Sequence, residues 1–226
     1  GSAAYRRAYR ALAAARQMEE SASALAAEGL DPAKLLRRTG GIIGREIRGK
    51  GSGGEERFRF LGSLTCKGPI WRFDTVDALC PRVYELQDPY GLAWPMLERI
   101  RAAAKARGFA AVVCPDPEHP DRTQHLLLPE LGLAFVTSRD GMAYPGGACR
   151  RVRMETMLVP DHLKRCKSRL RFIRRVAQAL REEGLEALRE AKSAHDALEA
   201  LYHPHVDFDG VSKAAAREWE RIEARI

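Results

Sequence analysis

The stretch that most constrains this chain is residues 82–101, Arg-Val-Tyr-Glu-Leu-Gln-Asp-Pro-Tyr-Gly-Leu-Ala-Trp-Pro-Met-Leu-Glu-Arg-Ile-Arg. Val83 to Leu86 predicts a short buried strand, Asp88-Pro89-Tyr90-Gly91 a turn, and Pro95 the first turn of a helix that runs to Arg107. Strand, tight turn and helix in that order is how α/β proteins build a phosphate-binding loop. Backbone N–H groups cradle the anion there, a Lys adds charge and a Ser or Thr hydroxyl reaches magnesium. In this chain neither a Lys nor a Ser/Thr follows the turn before the helix. The architecture is therefore more legible than any activity, and no catalytic residue is assigned.

Short apolar runs surround that unit. Phe58 to Leu64, Phe109 to Cys114, Gln124 to Leu128 and Leu133 to Thr137 read as strands, which predicts an α/β fold with a mostly parallel sheet flanked by helices. Both chain ends read as helical hairpins. At the start, residues 4–28 predict a helix stopped by Gly29. Asp31-Pro32 begins a second helix to about Ile47, with a weak point at Gly40-Gly41. At the end, Leu163, Cys166, Leu170, Ile173, Val176 and Leu180 share one helical face, and Leu185 to Leu201 resume the pattern after a break at Gly184. Ser212 is expected to cap a last helix that buries Trp219 and Ile222. These boundaries divide the chain into a helical segment at 3–48, a flexible linker at 49–56, an α/β core at 57–158 and a helical region at 159–226. Residues 8–47 also align without a gap on 187–226, matching Ala8 with Ala187, Ala15 with Ala194, Lys34 with Lys213 and Ile47 with Ile226. This is a weak internal repeat of a long helix, a break and a shorter helix.

Composition narrows the class. No apolar run is long enough to span a bilayer, so no membrane partner is expected. The five cysteines are scattered and odd in number, and with no secretory signal they read as reduced thiols in a cytoplasmic protein. Gly1-Ser2 reads as an expression scar, and the chain as part of a longer protein. The net charge of +8 invites a polyanion. That charge is concentrated at Lys164, Arg165, Lys167, Arg169, Arg171, Arg174 and Arg175, with Arg150, Arg151 and Arg153 just upstream. The set reads either as a solvated helix face or as a surface for nucleic acid or another polyanion, without the interleaved aromatics that stack single-stranded bases.

Larger patterns resemble the second half of a bacterial ATPase-like family built from two tandem P-loop domains. They are Phe60-Leu-Gly-Ser-Leu-Thr-Cys-Lys-Gly-Pro69, Asp74-Thr-Val-Asp77, Arg82-Val-Tyr-Glu-Leu86, Val113-Cys-Pro-Asp-Pro117 and above all His125-Leu-Leu-Leu-Pro-Glu-Leu-Gly-Leu-Ala-Phe-Val-Thr-Ser138. Residues 4–47 resemble the helical tail of the preceding domain. The resemblance implies a P-loop-NTPase-like sheet, ATP with magnesium as the family's ligand, and an active ATPase half upstream as partner. At the matching position the loop holds Asp88, Pro89, Tyr90, Gly91 and Trp94, a degenerate version of the cradle. Pro89 and Pro95 lack N–H donors, Asp88 brings a negative charge, and Trp94 is bulky. Thr137 stands where an acidic residue would hold magnesium. The implied role is structural or regulatory, without ATP hydrolysis and with no cofactor in this stretch. Two alternatives stay open: an ATPase or kinase-like enzyme in which Lys67 or Arg72 reaches the loop, and a nucleic-acid-binding module using 164–175.

Three lesser patterns complete the reading. Gly44, Gly49 and Lys50 have phosphate-loop spacing but no flanking strand, and read as linker. Cys114, His119 and His125 are loosely spaced for zinc without any paired-ligand motif. Cys114 reads as the end of a core strand, the histidines read as loop residues, and no metal is assigned. Asp74 and Asp77 read as helix-capping carboxylates, and Val152, Met154, Met157 and Leu158 as core.

Overall fold

The computed structural model describes residues 2–224. In chain order the elements are α1 (Ser2–Ala27), α2 (Pro32–Glu46), β1 (Glu56–Phe58), β2 (Gly62–Thr65), β3 (Gly68–Trp71), α3 (Phe73–Leu79), β4 (Arg82–Gln87), α4 (Trp94–Ala106), β5 (Ala111–Asp116), β6 (His119–Leu128), β7 (Leu133–Ser138), β8 (Arg150–Arg153), α5 (Pro160–Tyr202) and α6 (Phe208–Glu223). Six strands form one sheet in the order β1-β5-β6-β7-β4-β8. The pairs β1·β5, β4·β7 and β4·β8 are parallel, and only β6 runs against its neighbours. The mostly parallel α/β sheet expected from the sequence is present. The run Phe58 to Leu64 is not one strand: it splits into the end of β1 and the start of a separate β2–β3 hairpin.

The sheet is covered on both faces, and side-chain alternation explains how. Tyr84 and Leu86 of β4, Leu126 and Leu128 of β6, and Leu133 and Phe135 of β7 point one way, into a core with Met96, Leu97 and Ile100 of α4 and Leu35 and Ile42 of α2. Val83, Leu127, Ala134 and Val136 point the other way, onto Phe73, Val76 and Cys80 at α3. Every residue of β7 is buried, as a central strand requires. Val152, Met154, Met157 and Leu158 are buried, as their apolar pattern predicts.

The ends of the chain depart from the expected pair of hairpins. α1 does not fold back on α2. It packs antiparallel on α5 from the other end of the chain, while α2 packs on α4. The buried face of α1 is all alanine, at Ala4, Ala8, Ala11, Ala15, Ala22 and Ala26, and that of α5 is Cys166, Leu170, Ile173, Ala177, Gly184, Ala187 and Ala191. Both series step by three, four or seven residues, which is the coiled-coil pattern. α5 is a single helix of 43 residues, with no break at Gly184. Gly184 lies on the seam itself, where a Cβ would stand 2.7 Å from the Leu12 side chain. The residue that reads as a breaker is instead the point of closest helix approach, and its propensity cost of about 1 kcal/mol is small beside the packing it allows. Gly40-Gly41 likewise leaves α2 unbroken. Asp31 caps α2 as expected, accepting from the Lys34 amide at 3.0 Å.

Three further expectations are corrected. Residues 51–54 are not loose linker: the Gly51 and Gly53 amides donate to the carbonyls of Arg107 and Gly108 at 2.8 and 2.9 Å. Glu130 accepts from the Ser52 amide at 3.1 Å. The last helix starts earlier, capped by Asp207 rather than Ser212, and buries none of its described residues. Trp219 is 62% exposed and Ile222 51%. Both ends show a long helix, a break and a shorter helix, but out of register: the break at 28–31 aligns with 207–210, where α6 has already begun, and Ile226, matched to Ile47, lies outside the described residues. Finally, Asp74 does not cap α3 but pairs with Arg72 at 2.6 Å, and Asp77 accepts from the Tyr144 hydroxyl.

Candidate functional site

β4 ends at Gln87 between its parallel neighbours β7 and β8, and the chain turns through residues 88–93 into α4. This is where an α/β sheet presents a phosphate loop. The donors of that loop are already used. Asp88 is 4% exposed, and its two carboxylate oxygens accept from the Leu92 amide at 2.7 Å and the Ala93 amide at 2.8 Å. Pro95 has no N–H, and the Met96 and Leu97 amides both turn back to the Ala93 carbonyl. The Asp88 amide donates to the Ser138 carbonyl at the end of β7, which fixes the carboxylate in place. A carboxyl group of the chain itself therefore takes the amide donors at the start of α4. Burial pushes the Asp88 carboxyl up from its ordinary value, against the pull of the two amides and of Arg139.

The mouth of the loop is also covered. Leu92 is buried in a cluster with Ala22 and Ala26 of α1 and Leu170 and Ile173 of α5, and Tyr90 packs against it. Arg174 lies over the Tyr90 ring at 5.7 Å and Arg122 over the Trp94 ring at 5.6 Å. With Arg139, which acts on Asp88, these are cations brought to the turn. Lys67, in the β2–β3 turn, and Arg72, paired with Asp74, are placed elsewhere and are not the substitutes considered from the sequence. Gly91 takes φ +69°, which fits the tight turn after Pro89. Thr137, at the end of β7, is buried and its amide donates to His125 Nδ1 at 3.1 Å. ATP with magnesium does not fit this turn: its amide donors are taken by the Asp88 carboxyl and its mouth is packed.

The candidate ligands Cys114, His119 and His125 do not come together. Cys114 and His125 are cross-strand partners on β5 and β6, but His119 lies at the far end of β6 and pairs with Glu20 at 2.8 Å. Among the described residues no His, Cys, Asp and Glu group has the arrangement of a metal site. Cys114 is buried as expected, and burial pushes its thiol up to about 12, so it is not a nucleophile at neutral pH. His125 is not in a loop. It is fully buried, edge-on to Trp71 and Phe73, with Nε2 unpartnered. Because Nδ1 accepts from Thr137, the neutral ring carries its proton on Nε2, and burial lowers the pKa to about 3.

The basic run of α5 is mostly solvent-facing. Lys164, Arg165, Lys167, Arg171 and Arg175 are exposed, whereas Arg174 is partly covered and pairs with Asp140. What the sequence could not show is a second basic group, in which Lys34, Arg37 and Arg38 of α2 face Arg151 and Arg153 of β8. Their charges are visible in the sequence, but more than a hundred residues separate the two sets. Compared with protein-family models, with curated proteins and with solved structures, the chain matches none.

Proposed function

We propose that this chain is a nucleotide-fold domain that has lost its own phosphate chemistry and acts as a structural or regulatory partner of an ATPase half. The strand–loop–helix unit at 82–106, flanked by parallel strands on both sides, supports the P-loop-like ancestry. The observation that carries the loss is the Asp88 carboxylate held by the Leu92 and Ala93 amides. In a working loop those donors would meet a phosphate. A carboxylate in their place makes the turn self-sufficient: it stabilises the start of α4 without any ligand, and it repels a triphosphate. α1 and α5, which pack over the turn, are the surfaces through which such a domain would sense or brace a neighbour.

The test is local. An isotope-labelled chain is titrated with magnesium ATP while the Leu92 and Ala93 amide resonances are followed. No saturable shift at these two amides, and no phosphate release above buffer, is expected. A saturable micromolar response there, or turnover, overturns the reading and favours the enzyme alternative.

A further inference from the structure

A crevice opens beside the 88–93 turn, at the carboxyl ends of β4 and β8 and next to α2. Its volume is about 560 Å³, and its walls include Lys34, Arg37 and Arg38 of α2, Gln87 of β4, and Arg151 and Arg153 of β8. β8 is the edge strand of the sheet and runs parallel to β4, so the carboxyl ends of the two strands open together on the side of α2. Gln87 and Arg153 are register partners at that opening. The α2 wall is fixed in position, because the Asp31 amide donates to the Met157 carbonyl at 2.9 Å and the Val159 amide to the Gly29 carbonyl at 2.8 Å.

The charges in the crevice are unbalanced. Arg151 is held by Glu85 at 2.9 Å. Lys34, Arg37, Arg38 and Arg153 have no acidic partner among the described residues, although ion pairs are frequent elsewhere on the surface. Four uncompensated cations lining one crevice repel each other, and an anion with several charges that joins them relieves the repulsion. Arginine forks match phosphate oxygens in pairs, which favours phosphate over a single carboxylate. Among the described residues no aromatic side chain lines the crevice, so a base would find no ring to stack on, and recognition rests on the phosphates. The rim residue Thr156 leads within four residues into α5, whose exposed Lys164, Arg165 and Lys167 continue the positive charge along the chain.

We propose that this crevice binds consecutive phosphates of a phosphate chain, a chemistry shared by inorganic polyphosphate and a nucleic-acid backbone. The proposal is independent of the ancestry of the 88–93 loop, since none of its cations belongs to that loop. The full chain is tested with tripolyphosphate by calorimetry and with a short labelled DNA duplex by fluorescence anisotropy, at low and at physiological salt. A Lys34→Gln/Arg37→Gln/Arg38→Gln variant is compared with a distant control, Arg6→Gln/Arg10→Gln/Arg189→Gln, which removes the same charge. Binding of either probe, weakened about tenfold or more by the crevice variant, with a salt slope shallower by about one for each phosphate-bound cation removed, supports the site. Tripolyphosphate alone identifies a free chain as the ligand, and the duplex alone identifies a nucleic-acid backbone. No binding of either probe at low salt, an unchanged affinity in the crevice variant, or an equal loss in the control overturns the proposal. Should the triple variant melt early, Arg153→Gln on the exposed side of β8 replaces it with the same expected direction.

Discussion

Asp88 satisfies two amides that would otherwise be buried without partners, so its value is best measured by removing it. Asp88→Ala leaves the Leu92 and Ala93 N–H groups unpaired in a closed cluster, and a loss of about 2 kcal/mol is expected, visible as a lower melting temperature in calorimetry. A melting temperature equal to that of the parent would show that the carboxylate does not hold the turn. His125 gives a pH prediction of defined sign. Its folded pKa is about 3, against 6.5 for the unfolded residue. Below 6.5 the unfolded chain takes up a proton that the folded chain refuses, so stability is lost as pH falls from 6.5 towards 3, by at most about 1.4 kcal/mol per pH unit. Urea midpoints across that window should fall less steeply for His125→Gln than for the parent, and equal slopes would disprove the assignment. Asp88 was legible in the sequence as a charge at the phosphate position. His125 was not, because its burial depends on the β5–β6–β7 register and on Trp71 and Phe73 arriving from elsewhere in the chain.

At the scale of elements, glycine carries two opposite meanings here. Gly184→Leu places a branched side chain against Leu12 and the Ala8 carbonyl, and should destabilise the α1–α5 pair by about 1–3 kcal/mol in denaturant melts. Gly184→Ala should cost less, since about 1 kcal/mol of helix propensity offsets the tighter contact. If the leucine variant matches the parent, the seam is not close-packed at that point. Gly51 has no such relief: a Cβ there would overlap the Gly108 carbonyl and the Phe109 amide, which are backbone and cannot rotate away. Gly51→Ala is therefore expected to melt earlier than Gly49→Ala, although Gly49 is the one with a positive φ. Equal melting of the two would mean that 51–54 is as loose as its composition reads. The helix start at Pro32, the one expected at Pro95 and found at Trp94, and the strands around Val83 and Leu133 follow local patterning and were legible. The unbroken helix at Gly184, the pinned 51–54 segment and the solvated α6 were not, because each depends on what lies across the gap rather than on the neighbours in sequence.

At the scale of the molecule, α1 and α5 from opposite ends of the chain form one antiparallel pair and are fastened to the sheet body. Arg181 of α5 bonds Glu19 of α1 at 2.6 Å and Glu118 of the β5–β6 turn at 3.0 Å. Desolvation lowers the Arg181 pKa, but these two carboxylates outweigh it and the net direction is upward. Tyr84 and Arg82 of β4 meet Glu46 of α2 at 2.5 and 2.8 Å, a second fastening. α6 has no comparable tie among the described residues. Limited proteolysis should cut first between residues 203 and 207, and the remaining body should keep its melting temperature, as read by mass spectrometry and calorimetry. Slow amide exchange in α6, or a body that melts early after cleavage, would show that α6 is held by contacts in solution.

Local chemistry fixed what local chemistry can reach. Hydrophobic period, caps and turn residues determined the strand–turn–helix unit, the all-buried β7, the α2 start and the absence of a Lys and hydroxyl at the loop. Tertiary structure decided the rest: that the Asp88 carboxylate turns inward onto its own helix, that two chain ends share one alanine seam, and that α2 and β8 bring their cations to one crevice. These outcomes rest on contacts between residues far apart in sequence, whose energies depend on distance and burial, quantities that residue order alone does not contain.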